Sequence, residues 1–290
     1  MKIDFKTLLI ILFLGFVWGS AFILMKIGIG GFTPVQLASL RLVFAGSVAI
    51  FFFVGIYKKL KTSDWLLLAL SGTIGNLIPA YLFAQAAKEI PSSLSGALNA
   101  LTPMSTLIFG VIVFKVDIKI KHIIGIAIGL CGALILIFTN PKAIGFSFHM
   151  DYVKPCLNVI LAALLYGINV NVIKSKLGHL TAYANSMVPL TLVAIPALFI
   201  GLSQHTYTAA IAPGAIKPLM AVFVLGVFGS AISLIVFNRL VKKSSALFAS
   251  SVTYLIPVVA YGWGIYFGES IGLVQVLGMV MIMTGITLSR

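Results

Sequence analysis

Residues 92–114 read SSLSGALNALTPMSTLIFGVIVF. At about 1.5 Å of rise per residue, a helix of this length crosses a hydrocarbon layer about 30 Å thick. Pro103 lies in its middle and removes one backbone hydrogen bond. The polar side chains recur every three or four residues and so share one side of the helix, namely Ser92, Ser95, Asn99, Thr102 and Thr106. The stretch is predicted to be a broken membrane helix with one polar side.

The same stretch recurs 154 residues later, as ALFASSVTYLIPVVAYGWGIYFG at residues 246–268. Leu-Thr-Pro at 101–103 becomes Leu-Ile-Pro at 255–257, and Phe-Gly at 109–110 becomes Trp-Gly at 263–264. A polar, proline-broken membrane helix that is present twice is typical of a transport pathway.

The composition is that of a polytopic membrane protein. Of 290 residues, 60% are hydrophobic and 9% are charged, and the mean hydropathy is +1.14. A soluble domain of this length cannot bury so much apolar surface. The net charge of +14 is attributed to basic membrane loops and not to nucleic-acid binding. Cys131 and Cys156 fall at different depths, which predicts no disulfide, and no metal-ligand spacing occurs.

Hydropathy windows of about 19 residues predict ten membrane spans. The first apolar run is too long for a signal-peptide core and is interpreted as a span. If the N-terminus is cytoplasmic, fourteen Lys and Arg fall on that side and five on the other, so both termini are expected to be cytoplasmic. The predicted spans are about 7–27, 34–56, 65–87, 92–114, 122–139, 155–174, 182–202, 218–240, 246–267 and 271–288.

The repeat extends to nearly the whole chain and predicts two units, residues 1–140 and 150–290. Each unit holds five spans, and because five is odd the second unit must enter the membrane the opposite way up. The matches lie 148 residues apart for Lys26 with Lys174, and 154 apart for Gly72 with Gly226, Gly75 with Gly229 and Phe83 with Phe237. The predicted fold class is an all-α membrane protein of ten helices in two inverted five-helix repeats.

The order of motifs resembles the EamA family of the drug/metabolite transporter superfamily. The residues that carry this resemblance are WGSAFILMKIG at 18–28, Pro34 and Arg41 with six residues between them, the helix with Pro103, GIAIGLCGALIL at 125–136, and Gly268-Glu269 followed by QVLGMVMIMTGITL at 275–288. The resemblance implies ten helices around a central cavity and export of small metabolites such as amino acids. The chain departs from the family at Lys115, which replaces a frequent acid, and at Pro189, where the second unit would repeat Arg41.

Polar side chains inside spans are costly and tend to face the bundle interior, where they either bind substrate or join helices. Pro103 and Pro257 are the candidate hinges. The candidate substrate-binding residues are Trp18, Arg41, Asn76, Tyr81, Gln85, Asn99, Tyr166, Asn169, Ser230, Ser250 and Tyr254.

Arg41 is the one charge that falls clearly inside a predicted span. Three roles are open from the sequence: it binds a substrate carboxylate, it holds the carbonyls of a neighbouring half-helix, or it extends to the membrane surface. Lys26 and Lys174 are interpreted as residues at helix ends and not as substrate contacts. The glycines at 125, 129 and 132 are interpreted as close packing, within one chain or in a homodimer.

All six acidic residues fall in predicted loops or at span ends, so no carboxylate lies at mid-depth. Pumps that relay protons or bind cations usually keep one there, and we therefore expect a facilitator or a weakly coupled carrier. The six acidic residues are Asp4, Asp64, Glu89, Asp117, Asp151 and Glu269.

The leading hypothesis is a carrier that exports small neutral or zwitterionic metabolites across the cell inner membrane. The alternative within the superfamily is a carrier of nucleotide sugars, sugar phosphates or drug-like compounds; phosphate dianions would require more basic residues than Arg41. An intramembrane enzyme is disfavoured because no HExxH, GxSxG with a partnered His, or paired acids occur at depth. A channel or an assembly factor is the remaining class.

We expect no cofactor, no metal and no nucleic-acid partner. The expected partners are a small-molecule substrate and the lipid bilayer, and the chain is expected to be a monomer or a homodimer.

Overall fold

Ten apolar helices form the fold in the computed structural model, which describes residues 5–114, 119–138 and 150–288. Within these residues, nine helices are long and apolar enough to cross a membrane, and a tenth is shorter. In chain order, spans 1 to 10 are Phe5–Ile29, Pro34–Phe53, Thr62–Glu89, Ser92–Val113, Ile120–Phe138, Val153–Ser175, Ala182–Ser203, Ile216–Lys243, Ala246–Tyr266 and Leu273–Leu288. The sequence prediction is confirmed, since each boundary agrees to within about three residues. Lys115, Asp117, Lys142 and His149 lie outside the described residues.

Equivalent threonines start the second span of each repeat. Thr33 accepts a hydrogen bond from the backbone of Gln36, whose side chain accepts one in return, and Pro34 occupies the first helical position. Thr181, which is 148 residues later, accepts from the backbone N–H of Ala184. Both residues satisfy amide groups that the first turn of a helix leaves free.

Spans 4 and 9 are both interrupted just before their prolines. Span 4 consists of the helices Ser92–Asn99 and Thr102–Phe114. The hydroxyl of Thr102 donates to the carbonyl of Asn99 at 2.8 Å, which is the carbonyl that Pro103 cannot bond. In span 9, a 3-10 turn at Ser251–Tyr254 separates two helices and immediately precedes the helix Leu255–Tyr266, which contains Pro257.

Spans 3 and 8 each contain a π-helical segment, at Thr73–Leu77 and Leu225–Ile232. A shift of 154 residues places the first segment inside the second. Single-turn π segments interrupt the α-helical hydrogen-bond register and occur frequently at functional sites. The repeat therefore preserves local backbone irregularities as well as sequence.

The helix packing follows the inverted repeat. Span 2 packs on its equivalent, span 7, and span 5 packs on its equivalent, span 10. Span 1 packs on span 9, and span 6 packs in the corresponding way on span 4. Exchange of the two repeats therefore reproduces the same neighbours, as an inverted pair requires.

Glycines bring spans 5 and 10 into backbone contact. A Cβ on Gly285 would collide with the carbonyl of Gly125, and a Cβ on Gly132 would lie 2.6 Å from the carbonyl of Gly278. Small residues permit such approach in membrane helices. The glycines that could have served a dimer are thus used within one chain.

The outer surface is apolar as well as the interior. Large hydrophobic side chains such as Leu66, Ile112 and Ile265 are more than half exposed. In a bilayer these side chains face the acyl chains, so exposure of this kind is expected of a membrane protein.

Candidate functional site

A central cavity of about 100 Å³ lies among spans 1, 2, 3, 4, 6, 8 and 9. A cavity that holds one water molecule has a volume of only about 10–15 Å³. The central cavity therefore has room for a small organic molecule. Its lining consists of Trp18, Ala21, Phe22, Met25, Arg41, Gly75, Asn76, Phe83, Asn99, Thr102, Tyr166, Asn169, Val170, Ile173, Gly229, Ser230, Leu234, Phe237, Ser250, Thr253 and Ile256.

The lining is built almost entirely from equivalent positions of the two repeats. An offset of 148 residues relates the contributions of spans 1 and 6, and an offset of 154 relates those of spans 3 and 4 to those of spans 8 and 9. The pairs are Trp18 with Tyr166, Ala21 with Asn169, Phe22 with Val170, Met25 with Ile173, Gly75 with Gly229, Asn76 with Ser230, Phe83 with Phe237, Asn99 with Thr253 and Thr102 with Ile256. Only Arg41, Leu234 and Ser250 have no partner in the lining. The chemistry of the lining is asymmetric because of these three and because pairs such as Ala21 with Asn169 and Thr102 with Ile256 differ in polarity.

Arg41 is the single charged residue of this lining. Its Nε donates to the Ser230 hydroxyl at 3.1 Å, and its guanidinium also interacts with the Tyr166 hydroxyl. Both contacts come from the second repeat. A guanidinium has five N–H donors, so these contacts leave donors for an anionic group in the cavity. Binding of a substrate carboxylate, one of the three roles open from the sequence, stays a prediction.

Aromatic rings form much of the remaining wall. The Trp18 indole packs edge-on to Phe237, with ring centroids 5.1 Å apart, and donates from Nε1 to the Gly229 carbonyl at 3.0 Å. Phe83 contacts Phe22 edge-on at 5.6 Å and stacks on Tyr166 at 5.8 Å. Such rings bury apolar surface at fixed geometry, which suits a ligand with a hydrophobic side chain.

Two carboxamides in the lining have unsatisfied oxygens. The Oδ1 atoms of Asn99 and Asn169 are buried and have no hydrogen-bond partner among the described residues. A buried acceptor without a partner costs about 1–3 kcal/mol. Such groups are rare in protein interiors, so each one requires an explanation, and a role in binding a ligand is one such explanation.

Three of the sequence candidates lie outside the cavity lining. The Tyr81 hydroxyl is 2.9 Å from the Ser39 hydroxyl, and the Gln85 carbonyl oxygen accepts from the Asn158 amide at 3.3 Å. The Tyr254 hydroxyl donates to the Ile286 carbonyl at 3.4 Å. The structure brings the other eight together in one cavity: Trp18, Arg41, Asn76, Asn99, Tyr166, Asn169, Ser230 and Ser250.

The lining also contains residues that the selection by polarity did not include. Thr102 and Thr253 are polar, but the rest are glycines, methionine and aromatic or aliphatic residues. The repeat register is a usable signal, because each candidate that lines the cavity, except Arg41 and Ser250, has a partner in the lining at an offset of 148 or 154 residues.

Lys26 and Lys174 contact helix ends and do not line the cavity. Lys26 donates to the carbonyls of Ala87 and Ile90 at 3.1 and 3.3 Å, at the end of span 3. Lys174 donates at 3.0 Å to the carbonyl of Val241, close to the end of span 8. A cation at a helix C-terminus binds free carbonyls and complements the helix dipole.

Comparison with known proteins gives consistent matches. The profile of the EamA-like transporter family matches residues 5–138 and again residues 153–290. A "Probable amino-acid metabolite efflux pump" of Salmonella typhimurium is 24% identical over 98% of this chain and 93% of that protein. An "Uncharacterized inner membrane transporter YedA" of Escherichia coli is 25% identical over 94% of this chain and 86% of that protein.

One solved crystal structure is similar over 97% of this chain and 95% of that chain, with a TM-score of 0.67 and 17% sequence identity. At this identity the similarity shows the fold alone. It covers both repeats, so the arrangement of all ten spans has a counterpart among solved structures.

Proposed function

Because this chain belongs to the EamA-like transporter family, within the drug/metabolite transporter superfamily, we propose that it exports small neutral or zwitterionic metabolites by alternating access. Amino acids with apolar side chains are the first candidates. The family and the named relatives indicate a membrane transporter and not an enzyme. The name of the Salmonella relative describes an efflux pump, and this supports export as the proposed direction of transport.

The observation that carries the proposal is Arg41 in an otherwise uncharged, aromatic-walled cavity. A guanidinium recognises a carboxylate by charge and by its planar fork of donors. The rings beside it accommodate an apolar side chain. One carboxylate together with one apolar group describes an amino acid or a similar compound. A phosphate dianion would need more cationic groups than this lining supplies, which places other substrate classes of the superfamily second.

The symmetry of the lining supports alternating access. Inverted repeats that meet at a midplane site can exchange conformations, so that the site faces one side of the membrane and then the other. In this proposal residues 1–140 and 150–290 are the two units. Pro103 and Pro257 act as hinges, because each follows a break in its span.

The positions of the carboxylates support facilitated transport. Among the described residues Asp64, Glu89, Asp151 and Glu269 are acidic, and none of them lines the cavity. Asp64 is buried but lies 3.0 Å from Nε2 of His179, away from the cavity lining. A proton or cation carrier usually keeps a carboxylate on the transport path, so we propose that substrate gradients drive this carrier.

We further propose that the protein lies in the cell inner membrane with both termini in the cytoplasm. The name of the Escherichia coli relative and the distribution of Lys and Arg support this. The glycine contact between spans 5 and 10 is satisfied within the chain, which favours a monomer over a homodimer.

Flux into proteoliposomes tests the proposal. Purified protein is presented with about fifty metabolites, and the internal contents are read by mass spectrometry at equal pH and with an imposed pH step. We expect selective, saturable entry of a few amino acids, little changed by the pH step and lost with Arg41→Ala. Entry of sugar phosphates or nucleotides instead would favour the second substrate class. Steep dependence on the pH step would refute the facilitator.

A further inference from the structure

Glu269, which follows span 9, binds the start of span 4 in the other repeat. Its Oε1 accepts from the backbone N–H of Ser92 at 2.7 Å, and its Oε2 accepts from the backbone N–H and the hydroxyl of Ser93 at 3.0 and 2.7 Å. Hydrogen bonds to a carboxylate are about twice as strong as those between neutral groups. A carboxylate at a helix N-terminus also complements the helix dipole.

The backbone around Glu269 is shaped for this contact. Gly268 has a φ of +77°, a left-handed conformation that favours glycine and turns the chain out of span 9. The backbone N–H of Glu269 then donates to the Gly264 carbonyl at 2.8 Å. A Cβ on Gly264 would lie 2.8 Å from Oε2 of Glu269 and 3.1 Å from Cβ of Ser93, so a larger residue there would displace the carboxylate from its present position.

The helix that Glu269 holds carries a cavity residue. This helix, Ser92–Asn99, begins at the carboxylate and ends at Asn99, which lines the cavity. The break before Pro103 separates it from the rest of span 4. Movement of this half-helix would therefore displace Asn99 without moving the second half of the span.

The equivalent helix at the opposite end is held differently. Pro91 precedes span 4 and has no side-chain acceptor, whereas its equivalent, Ser245, accepts from the backbone N–H of Phe248 at 3.1 Å and caps span 9 locally. The position equivalent to Glu269 is Lys115, and an ammonium group cannot accept a hydrogen bond. A carboxylate tie between repeats is thus specified by the sequence at one end only.

We propose that Glu269 is a positioning residue that latches the first half-helix of span 4 to the second repeat and keeps that end of the cavity closed. The proposal rests on the proposed alternating access. Release of Ser92 and Ser93 from Glu269 accompanies opening at this end. Since the sequence places Lys115 and not a carboxylate at the equivalent position of the opposite end, the conformation with the Glu269 end closed is favoured at rest.

Cysteine labelling in lipid nanodiscs tests the latch, because both faces of the protein are reachable there. The parent carries Cys131→Ser and Ser95→Cys; Ser95 is buried one turn below the latch on the side of Asn99. Native Cys156, which is fully buried, is kept as a reporter of folding. Labelled peptides are distinguished by mass spectrometry after reaction with a maleimide.

With Glu269→Gln we expect the Ser95→Cys site to label roughly tenfold faster, as the loss of a charge-assisted hydrogen bond predicts, while Cys156 stays protected. Glu89→Gln is the matched control, because it removes an exposed acid at the same end, and it should label at the parental rate.

Unchanged labelling of the Ser95→Cys site in Glu269→Gln would overturn the latch. So would simultaneous labelling of Cys156, because Glu269 would then hold the whole fold and not one end. Failure of the parent to carry any metabolite in proteoliposomes would instead count against the proposed function, and the two failures are distinguished by separate measurements.

Discussion

The carboxamide of Asn169 lies against the backbone of Gly75 in the cavity wall, so closely that a Cβ on Gly75 would collide with it. The two residues come from different repeats, and Gly75 lies in the π-helical segment of span 3. The orientation of Asn169 therefore depends on the absence of a side chain at residue 75.

We expect Gly75→Ala to lower transport by about tenfold or more, equivalent to roughly 1.4 kcal/mol, because Asn169 must leave its position. The matched control is Gly229→Ala at the equivalent position, where a Cβ meets only the flexible end of Leu225 at 3.2 Å. Counterflow rates and melting temperatures measure the two effects. If displacement of Asn169 is the cause, Gly75→Ala should reduce transport little further in a protein that already carries Asn169→Ala. Fully additive losses in the double variant would contradict this explanation.

Arg41 is expected to recognise a carboxylate, so its removal should matter only for substrates that have one. For an amino acid that the protein carries, Arg41→Ala should reduce kcat/KM by about 10- to 150-fold, the range for a hydrogen bond to a charged group. The corresponding amino-acid amide should be carried equally by parent and variant. Arg41→Lys should be intermediate, since it keeps the charge and loses the fork. An equal loss for acid and amide would show that Arg41 serves the fold instead.

Lys26 and Lys174 should contribute to stability without affecting substrate affinity. Replacement of either by Met removes a cation from a helix C-terminus, which costs about 0.3–2 kcal/mol, and the equivalent contacts predict similar costs. Thermal unfolding and substrate binding are measured on the same preparations. A change in the substrate Kd with an unaltered melting temperature would indicate a direct role in binding.

The stability of the protein should fall in acid partly through Glu269. Burial disfavours the charge of this carboxylate, but the hydrogen bonds from Ser93 and Ser92 outweigh burial and hold its pKa below the ordinary value. The unfolded chain then binds the proton more readily, so this contribution is present above the ordinary glutamate pKa of about 4.3 and disappears as the pH falls through the folded pKa.

Melting temperatures from pH 7 to pH 3 measure this effect. Glu269→Gln should be less stable than the parent near neutrality, and the difference should narrow in acid. The other titratable groups are common to the parent and the variant, so the narrowing belongs to this carboxylate. A constant difference at every pH would contradict the explanation.

The spans and the repeat could be predicted because each has a strong one-dimensional signal. Apolar runs of about 20 residues have few alternatives in a bilayer, and the offsets of 148 and 154 residues predicted two units of five spans each. Trp18 and Tyr166 are equivalent at the offset of 148 residues, and the structure places both in the cavity wall.

Other features depend on side-chain partners and backbone register, which hydropathy does not report. Tyr81 and Gln85 lie on the polar side of their span, yet Ser39 and Asn158 are their partners. The π-helical segments were not predicted, because an extra residue in a turn leaves the apolar pattern almost unchanged. The bonds of Glu269 to Ser92 and Ser93 join residues 176 and 177 positions apart, and only the folded chain brings them together.

The one-sided bonding of Glu269 has a kinetic consequence for a carrier without a coupled ion. Thermodynamic balance requires the ratio of maximal rate to half-saturation concentration to be the same for inward and outward movement. A bias toward one resting conformation cannot drive net flow, but it makes the half-saturation concentrations on the two faces unequal. Such a carrier would approach saturation at a low substrate concentration on one face and only at a high concentration on the other. The difference between Pro91 and the equivalent Ser245 would contribute to this asymmetry.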